Sequence, residues 1–347
     1  MNLNPVTMRE LQERFRRPRA GVFVSVWAVA VIGIGYLIYL AARAWAANTG
    51  FFGWGMSQVL VNSSLGKSMF EMVSLLLLSA ILLVVPGVAA LSIVGERERL
   101  TLPLLQVSQL TPRQIVLGKL ASSLAYLLLL LVVVAPIMLV PMLFGGVGLV
   151  DVLAALASIA LSAVLVGSIS VWVSARASTT RGAVAGSYAL AFALVVGTGL
   201  LLIAELMLIN PGGRTWGTDG REVYSVWLNP YVAMVSAVDE PLAVTNEFVA
   251  LATPFDAVDS LLSHRQWGRD RINQDVFFEG PFTAVVESGA PGAAPEMNRG
   301  RLWVRSLLAA ALVTILALWG AARRITVPAP SRILAMKRRK VPEDASA

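Results

Sequence analysis

The sequence predicts an all-α, polytopic membrane protein with six transmembrane helices, and three observations support this fold class. Of the 347 residues, 56% are hydrophobic and only 14% are charged, whereas soluble domains carry about 25% charged residues. The apolar residues form long blocks that are apolar on all sides, and about 20 such residues span a hydrocarbon core of roughly 30 Å. Basic residues flank these blocks, as they do around transmembrane helices.

Composition also excludes several kinds of site. The chain contains no cysteine and a single histidine, His264, so disulfides and thiolate metal sites are excluded and a histidine metal site is not expected. The net charge of +7 would suit nucleic acid, but the basic residues flank the apolar blocks and therefore indicate membrane topology. We predict no catalytic residue, no metal site and no nucleic-acid partner.

The six apolar blocks divide the chain. The predicted spans cover approximately Val22–Ala42, Met72–Val94, Leu120–Phe144, Val152–Ser174, Ala183–Leu208 and Leu302–Ala322. The resulting segments are a leader (1–20), spans 1 to 5 (21–208), a large extracytoplasmic loop or small domain (209–301), span 6 (302–323) and a basic tail (324–347). We expect short helices in the large loop, packed on the outer mouth or dipping into the membrane.

Charge placement orients the spans. The leader, the loops after spans 2 and 4, and the residues after Ala322 contain 18 of the 28 basic residues and 6 acids, whereas residues 209–301 contain 7 basic and 12 acidic residues. Positive charge is retained on the cytoplasmic side. Both termini are therefore predicted to be cytoplasmic, and the alanine- and arginine-rich composition suggests a bacterial cytoplasmic (inner) membrane.

The leader has an amphipathic pattern. Leu11 and Phe15 follow Met8 at spacings of three and four, and Arg9 is one of several surrounding arginines. This pattern predicts a short interfacial helix that contacts membrane lipid. The alternative is a solvated basic leader that only sets the orientation.

The loop after span 2, residues 95–119, is the most informative stretch. Alternating charges at Glu96, Arg97, Glu98 and Arg99 precede Thr101 and an apolar segment containing Leu102, Leu104 and Leu105. Thr111, Pro112 and Gln114 then provide a helix start with a capping box. Two interpretations stay open: a docking surface for a cytoplasmic protein, whose leucines the partner covers, or a loop packed against the protein's own helices.

Two other features were considered as sites. Glu205 and Arg305 lie near the outer ends of spans 5 and 6, where they could form a polar pair, line a pathway or reach the headgroups. The fragment Gly66–Lys67–Ser68 resembles part of a phosphate-binding loop, but Val61 stands where a glycine is required. We therefore predict no nucleotide site in this chain.

Two blocks of residues resemble type-2 ATP-binding-cassette (ABC-2) transporter permeases. The first is Asn4-Pro5-Val6 with Arg9-Glu10-Leu11. The second is Gly95-Glu96-Arg97-Glu98 with Thr101-Leu102, Leu104-Leu105, Leu110-Thr111, Arg113-Gln114-Ile115 and Gly118-Lys119. The resemblance implies that the leader is a connecting helix and that Glu96 to Arg99 contact an ATPase subunit. It also implies that 101–108 form or flank a coupling helix.

The resemblance implies an ATP-driven exporter permease that works with two copies of a separate ATPase and a second permease copy or paralogue. ATP and Mg²⁺ would be bound by the ATPase, so this chain needs no cofactor and is not itself an enzyme. One alternative is a non-transporting membrane anchor or assembly component driven by an ABC ATPase. An ion-coupled carrier is disfavoured because no span contains a central charge. The substrate is not determined by the sequence.

Overall fold

A computed structural model describes residues 18–48, 58–102, 111–209, 224–238 and 299–325 of the chain, and these residues form helices and turns without a strand. Its helices are α1 (Pro18–Asn48), α2 (Gln58–Glu98), α3 (Pro112–Met138), α4 (Leu149–Arg176), α5 (Thr180–Phe192), α6 (Thr198–Ile209), α7 (Pro230–Ala237) and α8 (Arg299–Ile325). Two 3₁₀ turns cover Pro141–Phe144 and Ser225–Leu228, and a π-helical turn, Ala193–Gly197, joins α5 to α6. The predicted leader helix with Arg9, Leu11 and Phe15 lies outside the described residues.

The six predicted spans are confirmed within these ranges. Six helical stretches are long and apolar enough to cross a membrane: Val24–Ala41, Gly66–Glu98, Pro112–Phe144, Leu149–Arg176, Thr180–Glu205 and Trp303–Ile325. They correspond to α1, α2, α3 with its 3₁₀ turn, α4, α5 with α6, and α8. The protein is therefore a multi-pass membrane protein.

Helices α2 and α4 form the centre of the bundle. Helix α2 packs against α1, α3, α4 and α5, and α4 also packs against α3, α5, α7 and α8. Phe70, Leu78 and Ile159 are completely or almost completely buried in the core between these helices. In contrast, α1 exposes Val26, Val29 and other large apolar side chains, as expected for a face that contacts lipid.

Helix α2 begins well before the predicted start of span 2 at Met72. Its 41 residues extend about 60 Å at 1.5 Å per residue, roughly twice the hydrocarbon thickness. The first third is polar, and there Lys67 Nζ lies 3.7 Å from Glu71 Oε1, with Glu71 only 4% exposed. Glu71 is thus buried against the protein.

The helix starts follow local sequence signals. The predicted capping box of α3 is present: Thr111 N donates to Gln114 Oε1 (2.8 Å), and Gln114 N donates to Thr111 Oγ1 (3.3 Å). At the start of α4, Asp151 Oδ2 accepts a hydrogen bond of 2.8 Å from Gly148 N. Both contacts satisfy N–H groups that a helix start leaves without an intrahelical acceptor.

Pro86 interrupts α2 near the middle of the bundle, since proline cannot donate to the helix's own hydrogen bonds. The hydroxyl of Tyr188 in α5 donates to the carbonyl of Leu83, in the turn before this proline (2.8 Å). Gly87 leaves room for that hydroxyl, which would lie 2.8 Å from a Cβ at this position. Helix α5 thus covers the weakened point of α2.

The outer part of α2 depends on close backbone packing at Gly66. A Cβ atom on Gly66 would lie 2.6 Å from the carbonyl oxygen of Gly145 and 2.8 Å from that of Pro141. Both oxygens belong to backbone, which cannot move aside as a flexible side chain can. Gly66 therefore has a packing role in this structure.

We expect Gly66→Ala to lower the stability of the purified protein by about 1–3 kcal/mol, because overpacking forces the turn away from α2. Gly95→Ala is the matched control in the same helix, since a Cβ there meets nothing within 4 Å and alanine favours the helix. Thermal unfolding in detergent measures both. Equal melting temperatures for the two variants would contradict this packing role.

Candidate functional site

Helix α2 ends in a strained turn at what we term the charged end of the bundle, where α2, α4 and α8 end and α3 and α5 begin. Thr101 N donates to Glu96 O (2.9 Å) and Leu100 N to Arg97 O (3.2 Å), the pattern of a Schellman C-cap. Leu100 has a φ of 59°, a conformation that usually requires glycine and costs another residue roughly 1–2 kcal/mol. Its side chain is 78% exposed.

Glu96 fastens the end of α2 to the start of α3. Its Oε1 accepts from Lys119 Nζ at 3.0 Å, and its Oε2 accepts from the hydroxyl of Thr101. The Lys119 side chain is only 7% exposed. An ammonium group buried to this degree requires a charged or polar partner, since removing that partner leaves an uncompensated charge.

Arg97 binds the end of α4. Its Nη2 donates to the carbonyl of Ala175 at 2.9 Å, and its Nη1 donates to the carbonyl of Ala177. The last carbonyls of a helix lack intrahelical donors and carry the negative end of the helix dipole. The guanidinium therefore satisfies both the geometry and the charge of this helix end.

Glu98 binds the start of α5 in a complementary way. Its two carboxylate oxygens accept from Thr180 N and Thr180 Oγ1, both at 2.6 Å. The neighbouring Thr179 hydroxyl accepts from Gly182 N at 3.3 Å, as an N-cap. A carboxylate is favourable at a helix N-terminus because the free N–H groups and the dipole are positive there.

These contacts make one polar junction: Glu96, Arg97 and Glu98, three consecutive residues of α2, bind α3, α4 and α5 respectively. One turn deeper, Ser174 Oγ in α4 accepts from Ile93 N (3.1 Å) and Val94 N (3.0 Å) of α2. The short connection between α4 and α5 is thus held to α2 from two sides. A displacement of this turn of α2 would be transmitted to three other helices.

A family model described as ABC-2 family transporter protein matches residues 9–319. The chain belongs to the ABC-2 transporter family. Comparison with curated proteins gave no match. Membership identifies a permease subunit of an ABC transporter, a membrane domain without an ATPase site of its own, and implies an ABC ATPase subunit as its partner.

The structure places the ABC-2 residues singled out by sequence in different surroundings. Glu96, Arg97, Glu98 and Thr101 meet in the polar junction, whereas Arg99 and Leu100 are exposed. Leu102 is 8% exposed and belongs to the core. Leu104 and Leu105 lie outside the described residues.

Sequence reasoning missed the partners of this junction. Lys119 had been noted only as part of the family resemblance, and neither Thr180 nor the carbonyls of Ala175 and Ala177 had been singled out. Lys119 carries a signal that could have found it, because a charge inside an apolar helix requires a partner. The backbone carbonyls carry no such signal in the sequence.

Glu205 and Arg305 both lie beside the 3₁₀ turn at the opposite end of the bundle. Glu205 accepts hydrogen bonds from Tyr224 N (3.1 Å) and Ser225 N (3.2 Å), at the start of that turn. The Arg305 guanidinium carbon is 5.4 Å from the centre of the Trp227 ring, within the range of a cation–π contact. The two residues therefore hold the same loop segment from α6 and α8.

The fragment Gly66–Lys67–Ser68 lies inside α2, without the strand and loop that a phosphate site needs. Among the described residues, no group of three histidine, cysteine or acidic side chains could hold a metal ion.

The Glu96–Lys119 contact can be measured with a double-mutant cycle. We expect Glu96→Gln to destabilise the protein, since it leaves the Lys119 ammonium without its carboxylate. Adding Lys119→Met should recover part of the loss, with an interaction energy of about 0.5–3 kcal/mol. Chemical unfolding in detergent gives the energies.

A second cycle, Glu98→Gln with Lys119→Met, is the control, because Glu98 binds α5. It should be close to additive. Equal interaction energies in the two cycles would argue against a specific Glu96–Lys119 link.

Proposed function

We propose that this chain is the permease half of an ATP-driven exporter, in which the polar junction receives force from a separate ATPase. The observation that carries the proposal is that three consecutive charged residues bind three different helices. A push on such a turn moves spans 3, 4 and 5 together. The family supports the ATPase as the source of that push.

The junction divides the sequence-predicted coupling residues into two roles. Glu96, Arg97 and Glu98 bind other helices of the protein, Glu98 from an exposed position, and would transmit movement. Arg99 and Leu100 are exposed. Leu100 has a strained backbone conformation and an exposed apolar side chain. Strain of this kind is concentrated at functional sites, so we assign Leu100 and Arg99 to the ATPase contact.

Basic residues at the charged end support a cytoplasmic position for it. Arg176 lies over Trp172 (4.5 Å from the ring centre) and Arg323 over Trp319 (3.4 Å). Tryptophan and arginine at helix ends are typical of the membrane–water interface, and retained positive charge marks the cytoplasmic face. Both termini would then be cytoplasmic, in a bacterial cytoplasmic membrane.

We propose that two such permeases, or this chain and a paralogue, pair with two ATPase copies. Six spans are few for a transport path, so a second permease would complete it. Outward movement of substrate is favoured because no feature of the sequence suits capture from a binding protein. The described bundle offers serine hydroxyls and aliphatic side chains, so the substrate class stays open.

The test of the ATPase contact is Leu100→Gly. Glycine adopts the backbone conformation of residue 100 without strain, so the turn should be retained or stabilised. The apolar side chain is lost, and burying a leucine contributes about 1.5–3 kcal/mol. We therefore expect the affinity for the ATPase to fall by at least about tenfold, measured by co-purification and by titration in detergent.

Leu91→Ala is the matched control. Leu91 is another exposed leucine of α2 (46% exposed), but it lies inside the span, at least one helical turn before the junction. This variant should bind the ATPase as the unchanged protein does. Unaltered ATPase affinity in Leu100→Gly would remove Leu100 from the contact. Tight retention of the ATPase after deletion of 96–108 would overturn the coupling assignment as a whole.

A further inference from the structure

Residues 224–238 lie in the predicted outer loop but are part of the bundle. Helix α7 packs against α4 and α8. Met234 is completely buried, and Val232 and Val235 are 3% and 5% exposed. The segment is held at its start by Glu205 of α6 and by the cation–π contact between Arg305 of α8 and Trp227. We call residues 224–238 the plug segment.

The plug segment reaches membrane depth. The hydroxyls of Tyr231 and Ser79 are 2.7 Å apart. Ser79 lies in the span Gly66–Glu98, about 25 Å along α2 from Glu96 at 1.5 Å per residue. A hydrocarbon layer of roughly 30 Å that begins near the charged end therefore includes Ser79. Short helices at this depth require polar partners for their free backbone groups.

Asn229 supplies those partners. Its Oδ1 accepts from Tyr231 N (2.9 Å) and caps α7. Its Nδ2 donates to Val195 O (3.2 Å) and to Thr198 Oγ1 (2.9 Å). Val195 lies in the π-helical turn between α5 and α6, where the regular helix bonding is interrupted and carbonyls become available. One side chain, 8% exposed, thus joins the plug segment to span 5.

Span 5 is consequently held at two places. Glu98 of the polar junction binds its start at Thr180, and Asn229 binds its π-helical turn. The Asn229 contacts join neutral groups, whose net contributions are small enough to be exchanged during a conformational change. The carboxylate Glu205 holds the start of the plug segment more firmly, since charged acceptors form stronger hydrogen bonds.

We propose that Asn229 is a positioning residue that latches the plug segment inside the bundle, and that movement of α5 from the polar junction releases it. The plug would then pivot at its Glu205-held start while its deep end leaves Ser79 and Val195. The latch is a property of this chain alone. Its release by the ATPase rests on the proposed function.

The chain has no natural cysteine, so one introduced thiol reports on the plug directly. Met234→Cys places it on α7 at a completely buried position. The full chain, reconstituted in phospholipid vesicles, is treated with a membrane-impermeant maleimide from the side opposite the charged end. In the latched protein the thiol should react slowly.

Asn229→Ser should raise the labelling rate by about tenfold or more. Serine still caps α7, but it lacks the amide group that reaches Val195 and Thr198. Thr198→Val removes the hydroxyl that accepts from Asn229 Nδ2, with little change in side-chain shape. This variant should also raise the labelling rate. Ser236→Ala is the control, because the hydroxyl of Ser236 bonds to Ala233 of its own helix, and it should leave the rate unchanged.

Wild-type labelling rates in both Asn229→Ser and Thr198→Val would overturn the latch. Thermal unfolding of each variant distinguishes release of the plug segment from general unfolding. Ser236→Ala and Thr198→Val should not show general unfolding.

Addition of the ATPase with ATP separates the two proposals. If ATP raises Met234→Cys labelling, and Glu98→Gln prevents this rise, release through α5 is supported. If Asn229→Ser raises labelling but ATP does not, the latch stands and the ATP-driven release, with the coupling role of the junction, is refuted.

Discussion

The last turn of α2 is the interaction on which the bundle depends, because it binds polar groups of three neighbouring helices. Near a hydrocarbon layer, helix ends and charged side chains must be paired within the protein or reach water. Glu96, Arg97 and Glu98 bind an ammonium group, two terminal carbonyls and a helix N-terminus. Each contact matches a charge to the sign of its partner, so the order Glu-Arg-Glu fits the helix ends that it meets.

The charged end and the deep contacts of the plug segment are therefore held differently. At the charged end, ionised side chains bind α2, α3, α4 and α5 into one unit. At the deep contacts of the plug segment, Tyr231 pairs with Ser79 and Asn229 with Thr198 through neutral hydrogen bonds. Charged pairs at a helix end resist separation more than neutral contacts do, so a strain applied to the bundle would open the neutral contacts first.

The sequence predicts features that depend on residues close together in the chain, and it misses contacts between residues that are far apart in the chain. The six apolar blocks and the capping box at Thr111 follow from short patterns, and the structure contains them. The early start of α2 at Gln58 was missed, since its polar residues suggest a loop. In the structure Gly66, Ser68 and Glu71 are buried, and the turn at Pro141–Phe144 comes back over Gly66. That approach joins residues far apart in the chain.

The same distinction applies to the site. The charged run after span 2 stood out by composition, but the sequence left open whether it faces a partner or the protein's own helices. The structure assigns these alternatives to neighbouring residues: Glu96, Arg97 and Glu98 bind the protein's own helices, Glu98 from an exposed position, while Arg99 and Leu100 are exposed. A strained turn separates the two groups. The backbone of Leu100 could leave its strained conformation only if the C-cap unwound, and that C-cap aligns Glu96 and Arg97. A contact made at Leu100 from outside would therefore be coupled directly to the contacts that α2 makes within the protein.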